Sequence, residues 1–268
     1  MSQAPLLVLE RVEKRFGGLR AIAAVSFEVH EKQIFGLIGP NGAGKTTLFN
    51  CITGHYRPEG GDVRLCGRSI VGDKPHAIAL AGIARTFQNV RLFAEMTVLD
   101  NVLVPAHHRT RAGVLGSFLR TGAYALDERD LGKRAEELLE IFGLVGLKHE
   151  QAASLPYGSQ RRLEIARALM LEPRVLLLDE PAAGLNSQEA DKLTEQIRWL
   201  RDQFGLAVVL VEHNMRVVMG ACEQVHCVDH GETIASGTPE AVQSHPAVLE
   251  AYLGQGASDA DKAEAEIS

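Results

Sequence analysis

Apolar and polar positions change rhythm several times along the chain, and each rhythm predicts a different element. From Leu6 to His30 they alternate, with Val8, Leu9 and Val12 followed by Val25, Phe27 and Val29. Alternation predicts antiparallel strands with one covered face, and Phe16-Gly17-Gly18 lies in the turn between them. A short apolar run, Ile34 to Ile38, precedes a glycine-rich turn. Leu48, Phe49 and Ile52 then give a helical apolar face that Gly54 is placed to end. Gly60-Gly61-Asp62 leads into a further short strand, Val63-Arg64-Leu65.

From about Asn89 to Leu155 the period becomes helical, with Ala135, Leu138, Leu139 and Phe142 apolar and Glu136, Glu137 and Glu140 between them. Gly113 to Tyr124 has no clear period and reads as a loop or short helices. Arg161 to Leu171 is a second helix, burying Leu163, Ile165, Ala166 and Leu169. Val175 to Leu178 and Ala207 to Val211 are apolar throughout, the mark of strands covered on both faces, as in a parallel sheet. The helix from Leu193 to Leu200 between them predicts a right-handed crossover. The chain therefore reads as α/β: a parallel-sheet core, an N-terminal antiparallel β part and a helical insertion. Residues 1–88 and 156–254 form the core with its β part, 89–155 the helical subdomain, and 255–268 a disordered acidic tail.

Bulk composition alters this picture little. With 46% hydrophobic and 23% charged residues the 268-residue chain is ordinary for a globular protein. Cys51, Cys66, Cys222 and Cys227 show no metal spacing and suit a reducing compartment. Met1 to Pro5 carries no basic region, Leu6 to Leu9 is too short for a signal core, and no apolar run approaches the roughly 20 residues of a membrane helix. A net charge of -6 argues against nucleic acid as a partner, and any membrane association must come through another protein.

The chemistry begins at Gly39-Pro40-Asn41-Gly42-Ala43-Gly44-Lys45-Thr46-Thr47. Strand, glycine turn and helix are the setting in which G-x-x-x-x-G-K-[ST] cradles phosphate. Missing Cβ atoms let backbone N–H groups curl around the oxygens, and the helix start adds free donors and partial positive charge. Lys45 reaches the β- and γ-phosphates and the Thr46 hydroxyl can ligate Mg²⁺. These residues predict a nucleoside-triphosphate site.

Two strand ends add acid–base groups. Asp179 and Glu180 close the first buried strand, at the carboxyl end where ligands of a parallel sheet sit. Asp179 suits Mg²⁺, and Glu180 suits a general base for water. Glu212-His213-Asn214 closes the second, with His213 placed to hold the γ-phosphate and the water. Gln88, where core meets insertion, is a candidate contact to Mg²⁺ or water. Pro156-Tyr157-Gly158-Ser159 opens the Arg161–Leu171 helix as a second anion site, one suited to a nucleotide bound elsewhere.

Together these pieces resemble the ATP-binding-cassette ATPases, in order and over about residues 6 to 254. Gly39 to Thr47 looks like the Walker A motif, Gln88 the Q-loop, Leu155 to Gln160 the signature, Val175 to Glu180 Walker B, Ala183 to Asn186 the D-loop and His213 the switch histidine. Phe16 corresponds to the aromatic that stacks on adenine. More narrowly, Arg85-Thr86-Phe87-Gln88, Arg91-Leu92-Phe93, Met96-Thr97-Val98, Leu163 to Arg167, Asp179 to Asn186 and Ala251-Tyr252-Leu253-Gly254 are similar to ATP-binding subunits of branched-chain amino-acid importers. That resemblance implies a P-loop (RecA-like) core using ATP and Mg²⁺, with Lys45, Glu180 and His213 in hydrolysis. It also implies a head-to-tail partner ATPase, identical or not, whose ATP meets Tyr157, Gly158 and Ser159, and two permeases served by a periplasmic binding protein. The resulting place is peripheral, on the cytoplasmic face of a bacterial inner membrane. Another cargo, such as urea, an amide or an exported lipid, and a non-transport clamp remain alternatives. Two departures stand out: Pro156 replaces the usual signature serine and Asn186 the usual D-loop aspartate. Proline has neither hydroxyl nor N–H, so one contact to the opposite γ-phosphate is lost.

Overall fold

The computed structural model describes residues 4–88, 90–108 and 122–252. Asn89, the Gly113–Tyr124 stretch up to residue 121, Leu253-Gly254 and the 255–268 tail lie outside the described residues. The chain divides into two compact units, one of residues up to Ile83 and from Arg174 on, the other of Ala84–Pro173. The second unit thus takes in residues 84–88 and 156–173, which the sequence reading grouped with the core.

In the larger unit the alternating segments form β1 (Leu7–Phe16) and β2 (Leu19–Val29), paired antiparallel with Leu9 opposite Phe27 and Val12 opposite Val25. With β4 (Gly60–Leu65) and β5 (Arg68–Ser69) they make a four-stranded sheet ordered β2-β1-β4-β5. The uninterrupted apolar runs become β3 (Ile34–Ile38), β7 (Val175–Asp179) and β8 (Ala207–Val211), buried at every position. β3 pairs parallel with β8, and β8 with β7. This is why they show no alternation: helices or a second sheet cover both faces. The sheet runs β10-β9-β3-β8-β7-β6, where β6 is Ile83–Arg85.

β9 (Gln224–Asp229) and β10 (Glu232–Gly237) extend that sheet as an antiparallel hairpin on the far side of β3. The sequence reading did not find them, because His226 breaks the apolar pattern. In the fold His226 is buried with its ring 5.2 Å from Phe27 and 6.3 Å from Phe35, and its Nε2 lies 2.9 Å from the Thr233 hydroxyl. The helices of this unit are α1 (Lys45–Ile52), α2 (Pro75–Ala81), α6 (Ser187–Phe204), α7 (Met215–Ala221) and α8 (Pro239–Gln243).

The smaller unit holds α3 (Val98–Leu103), α4 (Gly122–Ile141) and α5 (Tyr157–Leu169). Ala135, Leu138, Leu139 and Phe142 are all buried, as their spacing predicts. Thr97 caps α3 by accepting from the Asp100 N–H, a local reason for the helix to begin there.

Candidate functional site: a phosphate loop between β3 and α1

β3 delivers the chain into the loop, and Gly44 caps α1 at φ 106°. A Cβ there would lie 2.6 Å from Ile22 Cδ1 and 2.7 Å from the Ala21 carbonyl, and one on Gly39 (φ 146°) 2.0 Å from the Val228 carbonyl. Both positions are left-handed and closed to a side chain, so only glycine lets the loop seat against β2 and β9. Lys45 is buried, and its ammonium donates to the carbonyls of Gly39 at 2.6 Å and Pro40 at 2.8 Å. Burial pushes its pKa below the ordinary value, with Glu180 the largest opposing charge and Asp179 and Glu212 adding to it. A buried cation folded back on its own loop is a group that gains from an anion.

Asp179 ends β7 and is buried, and Glu180 follows in the left-handed region at φ 45°. The Glu180 N–H donates to the Val211 carbonyl at 2.9 Å, tying the strand end to β8. Across that junction His213 Nδ1 lies 3.9 Å from Glu180 Oε2, with the His213 ring about half exposed and Glu180 mostly buried. The two groups therefore flank one spot where a water can be held and deprotonated.

Phe16, Asn41, Gly42, Ala43, Gly44, Lys45, Thr46, Thr47 and Glu180 line one cleft of about 390 Å³, joined by Arg20 and His230. Phe16 is 42% exposed, meets Tyr56 edge-on at 5.1 Å and has the Lys14 ammonium 5.2 Å from its ring centre. The donor set fits a nucleotide with Mg²⁺: a backbone loop and an ammonium for phosphate, and the Thr46 hydroxyl and Asp179 carboxylate as hard oxygen ligands. Among the described residues no group of three or more His, Cys, Asp or Glu forms a separate metal site.

Gln88, Tyr157, Gly158 and Ser159 belong to the smaller unit. Gln88 is exposed and its carbonyl accepts from Arg161 at 3.1 Å. Pro156 occupies the N-cap of α5, and the Ser159 N–H donates to the Pro156 carbonyl at 2.8 Å. The Ser159 hydroxyl accepts from Arg162 at 3.1 Å, so in this chain both Ser159 groups already serve α5. Asn186 caps α6 by accepting from the Gln188 and Glu189 N–H groups, with Glu189 reaching back to the Asn186 N–H.

Three side chains escaped sequence reasoning. Tyr252 accepts from the Gly39 N–H at 3.0 Å, and burial pushes its phenol up to about 12. Glu164 in α5 is buried and accepts from the Phe87 and Arg91 N–H groups, on either side of Gln88. Glu212 is fully buried and accepts three backbone N–H bonds. A glutamate amid apolar residues before His213 was the only signal of the last.

Residues 22–183 match the ABC transporter family, and residues 232–258 match a second family, the branched-chain amino acid ATP-binding cassette transporter. The high-affinity branched-chain amino acid transport ATP-binding protein LivG of Salmonella typhimurium is 47% identical over 255 residues, 95% of this chain and 100% of that one. A crystal structure of the ADP conformation of an ATP-binding cassette of an ABC transporter superposes with TM-score 0.81 at 31% identity, covering 94% of this chain and 100% of that one. A dimeric ATP-binding cassette in a post-hydrolysis state, bound to ADP and Pi, gives 0.71 at 26% identity over 87% and 98%.

Proposed function

The chain belongs to the ATP-binding-cassette transporter ATPases, which bind and hydrolyse ATP, and we propose that it energises the import of branched-chain amino acids. The observation that carries the cargo is the 47% identity to LivG across 95% of the chain, with the C-terminal match at residues 232–258 beside it.

In this reading the loop from Gly39 to Thr47 binds the triphosphate, Lys45 pairs with its β- and γ-oxygens, and Phe16 stacks on the base. Thr46 and Asp179 would hold Mg²⁺, which would neutralise phosphate charge. Glu180 accepts the proton of the attacking water and His213 keeps that water in line. Tyr157, Gly158 and Ser159 serve the ATP of a second ATPase set head-to-tail, as the dimeric cassette among the similar structures supports. Among the described residues no helix is long and apolar enough to cross a membrane. In this reading the chain attaches through two permease subunits, on the cytoplasmic face of the inner membrane, with a periplasmic binding protein delivering cargo, as the likeness to LivG supports.

The test is reconstitution of the chain with its genetically neighbouring permeases and binding protein in vesicles. Leucine, isoleucine or valine outside should raise ATP hydrolysis and appear inside with it. Hydrolysis indifferent to all three, but stimulated by an amide or a lipid, would refute the cargo and leave the ATPase standing.

A further inference from the structure

Glu180 stands in a backbone conformation that disfavours a side chain, at φ 45°. Such a residue persists only where its surroundings over-determine it. On its N-terminal side the Glu180 N–H is held by the Val211 carbonyl, and on its C-terminal side the Ala183 N–H bonds back to the Glu180 carbonyl at 3.2 Å. A further bond comes from 30 positions away in sequence. The Ala182 N–H donates to Glu212 Oε1 at 2.6 Å, while Glu212 Oε2 accepts from the N–H groups of His213 and Asn214, each at 3.1 Å.

One buried carboxylate thus takes the turn that carries Glu180 with one oxygen and the turn that carries His213 with the other. We propose that Glu212 is the positioning residue of the hydrolytic pair: it clamps these two turns together and sets the 3.9 Å separation between His213 Nδ1 and Glu180 Oε2. The inference rests on the reading of Glu180 and His213 as the water-activating pair.

A carboxylate is the right group for this place. Three N–H donors converge on it, and only an acceptor at both ends satisfies them all. A glutamine has one oxygen and one NH₂, so whichever way it lies the NH₂ faces a donor. Burial pushes the Glu212 pKa up, and the three N–H bonds and His213 oppose that rise. Nothing else in the strand requires a charge there, since every residue of β8 from Ala207 to Val211 is buried and apolar.

The experiment compares Glu212→Gln and Glu212→Ala with the native chain. In the native, nucleotide-free protein the Ala182, His213 and Asn214 amides should exchange slowly with deuterium, a measurement that needs no variant. Glu212→Gln should speed exchange on one side of the clamp and Glu212→Ala on both, with the Gly42–Thr47 amides unchanged. In the assembled ATPase kcat should fall about tenfold to a hundredfold, the worth of one lost charge-assisted hydrogen bond. ATP affinity should stay within about twofold of native, because the phosphate loop is not touched. Rapid exchange in the native chain, undiminished kcat in both variants, or affinity falling as far as kcat would each overturn the clamp. Glu180→Gln is run beside them: if it hydrolyses normally the water-activating pair is wrongly assigned, and the exchange data alone then judge whether Glu212 joins the turns.

Discussion

Removing a single oxygen 213 positions away in sequence from the start of the phosphate loop should weaken the hold on ATP. Tyr252, in the helical residues 246–252, offers its hydroxyl to the Gly39 N–H at 3.0 Å. Gly39 is also fixed by the Lys45 ammonium on its carbonyl, and by a backbone with no room for a Cβ. Tyr252→Phe keeps the ring and strands a buried N–H, at a cost of about 1–3 kcal/mol. For a chain of this size each kcal/mol lowers the melting midpoint by about 2–4 °C. The nucleotide must then re-order the loop, and about 1 kcal/mol of that cost corresponds to roughly a fivefold loss of ATP affinity. Calorimetric titration of ATP into the isolated chain, with thermal melts of the same samples, reads both. Native affinity and native melting in the phenylalanine variant would show that the C-terminal segment does not brace the loop.

Three further expectations follow from particular contacts. Glu180→Gln should retain ATP binding, lower hydrolysis by about 10²- to 10⁴-fold and trap a closed pair visible by size-exclusion chromatography; surviving hydrolysis removes Glu180 as the base. Pro156→Ser gives α5 a hydroxyl at its N-cap and restores a donor to the partner's phosphate, so turnover of the assembled complex should rise about tenfold, and an unchanged rate removes the idea. Burial lowers the His226 pKa from 6.5 to about 4, so the unfolded chain binds the proton first as pH falls. The stability contribution is full above pH 6.5 and is lost toward pH 4, by about 3 kcal/mol in all. Urea midpoints across that range should show the slope in the native chain and lose it in His226→Gln; an equal slope in both would assign it to the carboxylates.

The parts of this fold that a linear reading reached are those fixed by local pattern. β3, β7 and β8 announce themselves because a strand covered on both faces has no polar position to hide, and the loop at Gly39–Thr47 because its glycines are demanded by sterics at each step. The β9–β10 hairpin stayed hidden because His226 is polar by type and buried in fact, between rings contributed by β2 and β3. The sequence pattern starts α5 at Arg161, four residues late, because Tyr157 and Gly158 read as turn residues whereas Pro156 caps the helix at that point. Glu212 and Tyr252 escaped for a different reason. Their work is done on backbone groups at Ala182 and Gly39, and main-chain partners leave no trace in side-chain spacing.

The Gly82 carbonyl receives the N–H groups of both Arg174 and Val175, at 2.8 and 3.0 Å. The chain thus leaves the larger unit and re-enters it through one stapled doorway, and the ninety residues in between hang from a ring already closed behind them. Lengthening that segment raises the cost of closing it only slowly, by about 0.6 kcal/mol for each doubling of its length. Insertions between Gln88 and Tyr157 can accordingly be carried with little loss of stability in the larger unit.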